Sequence, residues 1–377
     1  MLNENTRSRM AEATRLTKEG RLQEATAIIQ GALGNAPSVS PTKKRAGHDS
    51  PIDVTSRLVR ETRQGPAAPH RSPRPRTVHR PSGTQTDAGA AGHFLARSYS
   101  GEGGARTYKL YVPKGHTGRS LPLLVMLHGC TQDPDDFAAG TRMNQLAEEH
   151  GFLVAYPAQS SGANVQRCWN WFQPSDQERG RGEPAIIAGI TRQVVEEYGA
   201  DGDRVYVAGM SAGGAMAAIV GTRYPDLYAA VGVHSGLAPG SAHDMPSAFS
   251  AMRQGNPGAP MPSVATNGKV KPAPTIIFHG DGDGTVHPRN GDRILAHLTA
   301  EDGTALKAAT RQGRIPDGHA FTRVSYKDAD GRSVVERWTV HGLGHAWSGG
   351  HHPGSYTDPK GPDASAEMVR FFMEHSK

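Results

Sequence analysis

The stretch from Val205 to Val220 restricts the fold of this chain more than any other. Val205, Val207 and Ala208 form a short apolar run that reads as a buried strand. Gly209-Met-Ser-Ala-Gly213 follows and matches G-x-S-x-G, and Ala215 to Val220 reads as a helix. This order puts a serine on a sharp strand-to-helix turn, with its hydroxyl raised above a sheet. The turn is so tight that the residues two before and two after the serine must lack bulk, which accounts for Gly209 and Gly213. Gly214 adds close helix packing. The helix N-terminus then aims its free N–H groups at the serine. The bare motif is common, because glycine and serine are common. The apolar strand before it and the small-residue helix after it make the pattern specific to a nucleophilic Ser211 rather than to an ordinary turn.

Serine alone is a poor nucleophile, so a base and an orienting acid are expected further along. Thr275-Ile-Ile-Phe278 is an apolar, β-rich run that ends in the glycine-rich loop His279-Gly-Asp-Gly-Asp-Gly-Thr-Val286. An acid on a loop at a strand's C-terminal edge is placed to orient a histidine. Asp281 and Asp283 compete for that place. Distance from the strand end and the Thr285-Val286 that follows favour Asp283, and turn chemistry accounts for Asp281. Val334 to Val340 is the next strand, and His341-Gly-Leu-Gly-His345 follows it. His345, beside Gly344, is expected as the base that takes the Ser211 proton and returns it to a leaving alcohol. His341 sits nearer the strand end and is expected to bond locally. His351 and His352 with His345 match no helical or knuckle spacing, so neither a metal nor a cofactor is expected.

An oxyanion needs two N–H donors. The residue after the nucleophile, Ala212, supplies one. Leu121 to Leu127 is the strand expected to carry the other, on the His128-Gly-Cys-Thr-Gln132 loop. Cys130 or Thr131 is the natural donor there, with Cys130 favoured by position. His128 is expected to buttress that loop rather than transfer protons.

Six segments in order then carry a family likeness. They are Leu127-His-Gly-Cys-Thr-Gln132, Arg167-Cys-Trp-Asn-Trp-Phe172, Gly182-Glu-Pro-Ala185, Arg204-Val-Tyr206, Gly209-Met-Ser-Ala-Gly-Gly-Ala-Met216 and Gly344-His-Ala-Trp-Ser-Gly-Gly350. Together they resemble the polyhydroxybutyrate depolymerase family of esterases, which is also similar to certain feruloyl and acetylxylan esterases. The resemblance covers the chain from about residue 94 to its end. It implies an α/β-hydrolase fold, carboxylic ester hydrolysis, and Ser211, Asp283 and His345 as nucleophile, acid and base. It leaves the acyl group open between polyester and plant-wall ester, and it does not reach the first ninety-odd residues.

Three regions follow along the 377 residues. Residues 1–33 show helical spacing of Met10, Ala13, Leu16, Leu22, Ile28, Ile29 and Leu33, broken at Glu19-Gly20-Arg21, and read as a helical hairpin. One hairpin cannot bury its own apolar stripe, so it is expected to dock, self-associate or bind a partner. Residues 34–93 are rich in Pro, Ser, Arg and Gly and read as a disordered linker. Much of the net charge of +6 lies between Lys43 and Arg80. A solvated, extended linker is favoured there over one that binds nucleic acid or anionic lipid. From 94 to 377 strands and helices alternate, which predicts a mostly parallel, doubly wound sheet with helices on both faces. Met1-Leu-Asn-Glu-Asn-Thr-Arg7 has no apolar core of the kind a signal peptide needs. No stretch is long enough for a membrane span. The family resembled is commonly secreted, so location stays open between cytoplasm and export.

Substrate contacts are sought among aromatics. Trp169 and Trp171, flanked by Asn164, Gln166, Arg167 and Gln173, are candidates for an acyl or polymer groove, with core packing as the alternative. Trp347 must lie near the site because it is two residues past His345. Ser235 to Lys271 carries Met245, Met252 and Met261 and is expected to form a cap. Gln177 to Glu183 is expected on the rim. The two cysteines, Cys130 and Cys168, both flank the proposed site, as one disulfide or as two buried thiols.

Overall fold

The computed structural model describes residues 92–116, 118–255, 272–301 and 306–377, all within one compact unit. The hairpin of residues 1–33, and the linker but for its last two residues, lie outside the described residues.

Ten strands among the described residues share one sheet. They are β1 (His93–Gly101), β2 (Gly104–Val112), β3 (Leu123–Leu127), β4 (Leu153–Pro157), β5 (Val205–Met210), β6 (Ala230–His234), β7 (Thr275–Gly280), β8 (Lys307–Arg314), β9 (Ala320–Lys327) and β10 (Ser333–Val340). Their order across the sheet is β1-β2-β4-β3-β5-β6-β7-β10-β9-β8. The strands from β4 to β10 in that order pair in parallel. An antiparallel pair closes each edge. The central strands are covered on both faces, so they read as continuous apolar runs.

Strand periodicity divides the core in two. Leu123, Val125 and Leu127 enter one apolar cluster while Leu124 and Met126 enter the other, and β5 splits Val205 and Val207 from Tyr206 and Ala208 in the same way. Helices α3 (Gly182–Tyr198), α4 (Ala212–Arg223), α5 (Met245–Gln254) and α6 (Arg289–Glu301) cover the first face. Helices α1 (Pro134–Thr141), α2 (Met143–His150) and α7 (Ala364–Met373) cover the second. This is the doubly wound arrangement that the strand–helix alternation predicts.

Two departures have physical causes. Residues 134–150 carry two helices rather than one, because Arg142 takes a left-handed φ of 52° and breaks them. The first begins where the Asp133 side chain accepts the Asp136 N–H at 3.0 Å, just before Pro134, an N-terminal signal the apolar pattern does not show. The β8–β9 hairpin was not anticipated, because β8 is almost wholly exposed and carries no apolar alternation. Within the expected cap, α5 is capped by Asp244 and Ser247, and the Met252 carbonyl accepts the His287 N–H at 2.7 Å. Residues 256–271 of that segment lie outside the described residues.

Candidate active site

The C-terminal ends of β3, β5, β7 and β10 deliver four loops to one edge of the sheet, where open α/β sheets gather their ligands. Ser211 follows β5 at φ 57°, ψ −121°. A non-glycine residue holds such angles only where its surroundings dictate them. A Cβ on Gly213 would collide with the Leu127 and His128 carbonyls, and one on Gly209 would collide with Gly213 and with the Leu127 carbonyl at 2.7 Å. The turn therefore needs both glycines, as the motif requires.

The side chains form a row. The Ser211 hydroxyl lies 3.0 Å from His345 Nε2. His345 Nδ1 lies 2.7 Å from Asp283 Oδ2. With Nδ1–H donating to the carboxylate, Nε2 is left to accept the serine proton. The other Asp283 oxygen accepts the Thr285 and Val286 N–H groups at 2.9 and 2.8 Å. Burial alone would raise this carboxyl. Hydrogen bonds from His279, His345 and the Val286 N–H outweigh it and hold Asp283 well below the usual carboxylate range.

The loop expected to supply the second oxyanion donor lies against the elbow, since a Cβ on Gly129 would stand 3.6 Å from Ser211 Cβ. Within it the Thr131 N–H donates to the Gln166 carbonyl at 2.7 Å, and the Gly129 N–H donates to Gln132 Oε1 at 2.9 Å. Those two donors are occupied, which favours Cys130 over Thr131 as the loop's contribution. Ala212 opens α4, so its N–H has no partner within the helix. Cys130 is disulfide-bonded to Cys168, which ties the oxyanion loop to the Trp-bearing loop across 38 residues.

His128 is buried. Its Nε2 accepts the Gln159 N–H at 3.1 Å, and Nδ1 donates to the Gly129 carbonyl at 2.8 Å. Burial lowers its pKa and keeps it neutral, which suits a buttress. His234, behind the elbow, is pushed down to about 3 by burial; it accepts the Ser348 N–H at 3.0 Å and stacks on Trp347. Sequence reasoning passed over it, since a histidine ending a strand carries no motif.

The tryptophans need correction. Trp169, Trp171 and Trp347 are 0%, 5% and 1% exposed and belong to the core rather than to an open groove. Trp169 donates its indole N–H to the His128 carbonyl at 3.1 Å. Trp171 meets Phe172 edge-on. Trp347 donates to Ser365 Oγ at 3.0 Å. Each indole N–H that is buried this way needs a partner, and the backbone and Ser365 provide it for two of them. Glu183, expected on the rim, is buried too. Burial raises its pKa to about 7. Its partners are Gln159, the Asn170 N–H at 2.7 Å and Asn170 Nδ2 at 2.9 Å, so it braces the Cys168–Phe172 loop from below.

Among the described residues, Tyr356 is an aromatic that does lie open beside the site, 47% exposed. It sits in Gly354-Ser-Tyr-Thr-Asp358, which has no periodicity to single it out. Asp281, the competing acid, pairs with His341 instead: Oδ2 lies 2.7 Å from His341 Nδ1, and Oδ1 accepts the Gly342 N–H at 2.6 Å. Among the described residues no three His, Cys, Asp or Glu side chains converge as a metal site, and no helix is long and apolar enough to cross a membrane.

The chain is similar to known proteins. The family model described as Esterase PHB depolymerase matches residues 106–316. Poly(3-hydroxyalkanoate) depolymerase C of Paucimonas lemoignei is 34% identical over 245 residues, covering 62% of this chain and 57% of the relative. A probable acetylxylan esterase A of Neosartorya fischeri is 32% identical over 194 residues, covering 48% of this chain and 51% of the relative. The chain thus spans about half the length of these relatives. Among solved structures, the acetyl xylan esterase from Aspergillus awamori aligns with a TM-score of 0.58 at 20% identity, over 75% of this chain and 100% of that chain. That likeness shows the fold, an α/β-hydrolase.

Proposed function

This chain belongs to the Esterase PHB depolymerase family, and from that premise we propose that it is a serine esterase whose substrates are short hydroxyalkanoate oligomers or polyester chain ends. The observation that carries the reading is the hydrogen-bonded row Ser211–His345–Asp283, at 3.0 and 2.7 Å, on a strained elbow.

In the proposed cycle Ser211 Oγ attacks the ester carbonyl as its proton passes to His345 Nε2. The carbonyl oxygen becomes an oxyanion and takes hydrogen bonds from the Cys130 and Ala212 N–H groups. Asp283 stabilises the imidazolium and keeps its orientation. The imidazolium then protonates the leaving alcohol, and the acyl group stays on Ser211. A water molecule, deprotonated by His345, attacks the acyl-enzyme; Ser211 regains its proton and the carboxylic acid leaves. No other group is required.

The acyl preference follows from the relative named as a polyhydroxyalkanoate depolymerase. A second reading, carbohydrate-ester hydrolysis, is favoured by the relative named as an acetylxylan esterase. The test is hydrolysis of hydroxybutyrate trimer, acetylated xylan and methyl ferulate side by side, with Ser211→Ala as blank. We expect the trimer to be cleaved fastest, and Ser211→Ala to lose at least about 10³-fold in kcat. Faster release of acetate from xylan, or of ferulate, would move the assignment to carbohydrate esters. Full activity in Ser211→Ala would end the serine-esterase reading altogether.

A further inference from the structure

We propose that Tyr356 is the specificity-determining residue for the alcohol half of the ester, selecting leaving alcohols that present a C–H face on a secondary carbon. The inference rests on the serine-esterase reading and deepens it.

Three observations converge on this side chain. First, its backbone sits at φ 52°, in the left-handed region. A bulky aromatic there is strained, and such strain persists only where the surroundings impose it. They do so here. The Tyr356 carbonyl accepts the Trp347 N–H at 2.6 Å. On one side Ser355 is held by Asp136 through its N–H at 2.8 Å and its hydroxyl at 2.6 Å. On the other side Thr357 pairs with Trp347 in a short parallel bridge. Second, the ring is exposed, although most large apolar groups around the site are buried. Third, the ring spans both halves of the catalytic apparatus. Its centroid lies 6.5 Å from that of His345, nearly edge-on, and its hydroxyl lies 3.2 Å from Thr131 Oγ1 on the oxyanion loop.

Chemistry gives that position its meaning. The leaving alcohol must take its proton from His345, so in the transition state it lies against the imidazole. A ring packed against the same imidazole and exposed to solvent is where the carbon next to the leaving oxygen comes to rest. Aromatic faces and edges favour C–H surfaces, and the contact is made as water is displaced. Hydroxyalkanoate chains and acetylated sugars differ in their acyl parts. Both release a secondary alcohol, so one ring serves either source.

The experiment uses the full chain and a series of acetates that share an acyl group: ethyl, isopropyl and cyclohexyl. A second series holds ethanol constant and lengthens the acyl group from acetyl to hexanoyl. In Tyr356→Ala we expect the cyclohexyl-over-ethyl preference in kcat/KM to fall roughly tenfold, mainly through KM, the range a pocket contact of this size provides. The acyl-series preference should stay that of the wild type. Tyr356→Phe, which keeps the ring, should retain the alcohol preference. That variant also separates contact from folding, since Tyr356→Ala acts on a strained turn. Equal losses across the alcohol series, or a change that follows acyl length instead, would overturn the proposal while leaving the esterase reading intact. Absence of any Ser211-dependent hydrolysis in the wild type would remove both. Comparing hydroxybutyrate dimer with acetylated xylan in Tyr356→Ala then tells which secondary alcohol the ring serves.

Discussion

The loops after β7 and β10 carry two aspartate–histidine pairs of equal length and unequal setting. His345 Nδ1 meets Asp283 at 2.7 Å, and His341 Nδ1 meets Asp281 at 2.7 Å. Each histidine even has a hydroxyl at its far nitrogen, Ser211 at 3.0 Å and Thr322 at 2.9 Å. Judged by these distances alone, the chain has two triads. The surroundings separate them. The Asp283 and His345 side chains are 0% and 12% exposed, whereas Asp281 and His341 are 45% and 43% exposed. Ser211 rides a strained elbow at a helix N-terminus beside the oxyanion loop. Thr322 lies within β9, paired with Thr339 of β10, so its neighbouring backbone groups serve the sheet. Water also screens the exposed pair. Three side chains in a row are therefore insufficient: on the proposed reading, a nucleophile also needs preorganised N–H donors and a dry carboxylate, and the exposed row has neither.

Neutralising each acid in turn separates the two rows most clearly. Asp283→Asn should lose about 10⁴-fold in kcat, because the amide cannot hold the imidazole in the tautomer that accepts the serine proton. Asp281→Asn should stay within about threefold of wild type, as surface pairs contribute little. Thr322→Ala should likewise leave turnover on p-nitrophenyl butyrate within about twofold, while Ser211→Ala loses at least about 10³-fold. If Asp281→Asn or Thr322→Ala matched its buried counterpart, the exposed row would have to be treated as a working site.

A second test addresses what the buried row has and the exposed row lacks, a pinned oxyanion loop. The Cys130–Cys168 disulfide closes a span of 38 residues beside Ser211. Replacing both cysteines by serine should cost about 2–4 kcal/mol of stability, measured by urea denaturation, since the crosslink restricts the unfolded chain. It should also lower kcat/KM, because the Cys130 N–H would no longer be held in place. Stability loss without any change in kcat/KM would mean that Gln166 and Gln132 position the loop unaided.

Much of the first row was legible in the residues, and none of the second was. Ser211, Asp283 and His345 each sit in a glycine-rich loop after an apolar strand, and the order of those strands implies convergence at one sheet edge. That Asp283 rather than Asp281 meets His345 was also expected, from distance along the loop. What Asp281 does instead was not, because it depends on β10 lying beside β7, which sets His341 next to Asp281, and on β9 lying beside β10, which brings Thr322 to His341; neither long-range pairing leaves a local trace along the chain. The tryptophans failed for a related reason. Polar neighbours such as Asn164 and Gln166 set a groove role for Trp169 beside core packing, but the disulfide and the His128 carbonyl draw that loop inward. Tyr356 escaped notice because its value comes from backbone strain and a distant hydroxyl, and neither leaves a pattern along the chain.

The exposed pair also bears, weakly, on stability. Burial alone would raise the Asp281 carboxyl, but the Gly342 N–H and His341 outweigh it and lower its pKa below the usual value of 3.8. A carboxyl whose folded pKa is depressed binds fewer protons in the folded state than in the unfolded one. Its contribution to stability is therefore present above the unfolded pKa and is lost as pH falls through the folded one. At pH 7 the pair should stabilise the fold by less than about 1 kcal/mol, because both side chains are open to solvent and screened. Asp281→Asn should accordingly lower Tm slightly at pH 7. The gap between variant and wild type should close as pH drops below the ordinary carboxylate range, and 1 M salt should shrink it at neutral pH. A gap that persists at acid pH, or resists salt, would mean that the Gly342 N–H bond carries the effect rather than the charge. The exposed pair would then be a loop clasp, and its likeness to the buried row would end at geometry.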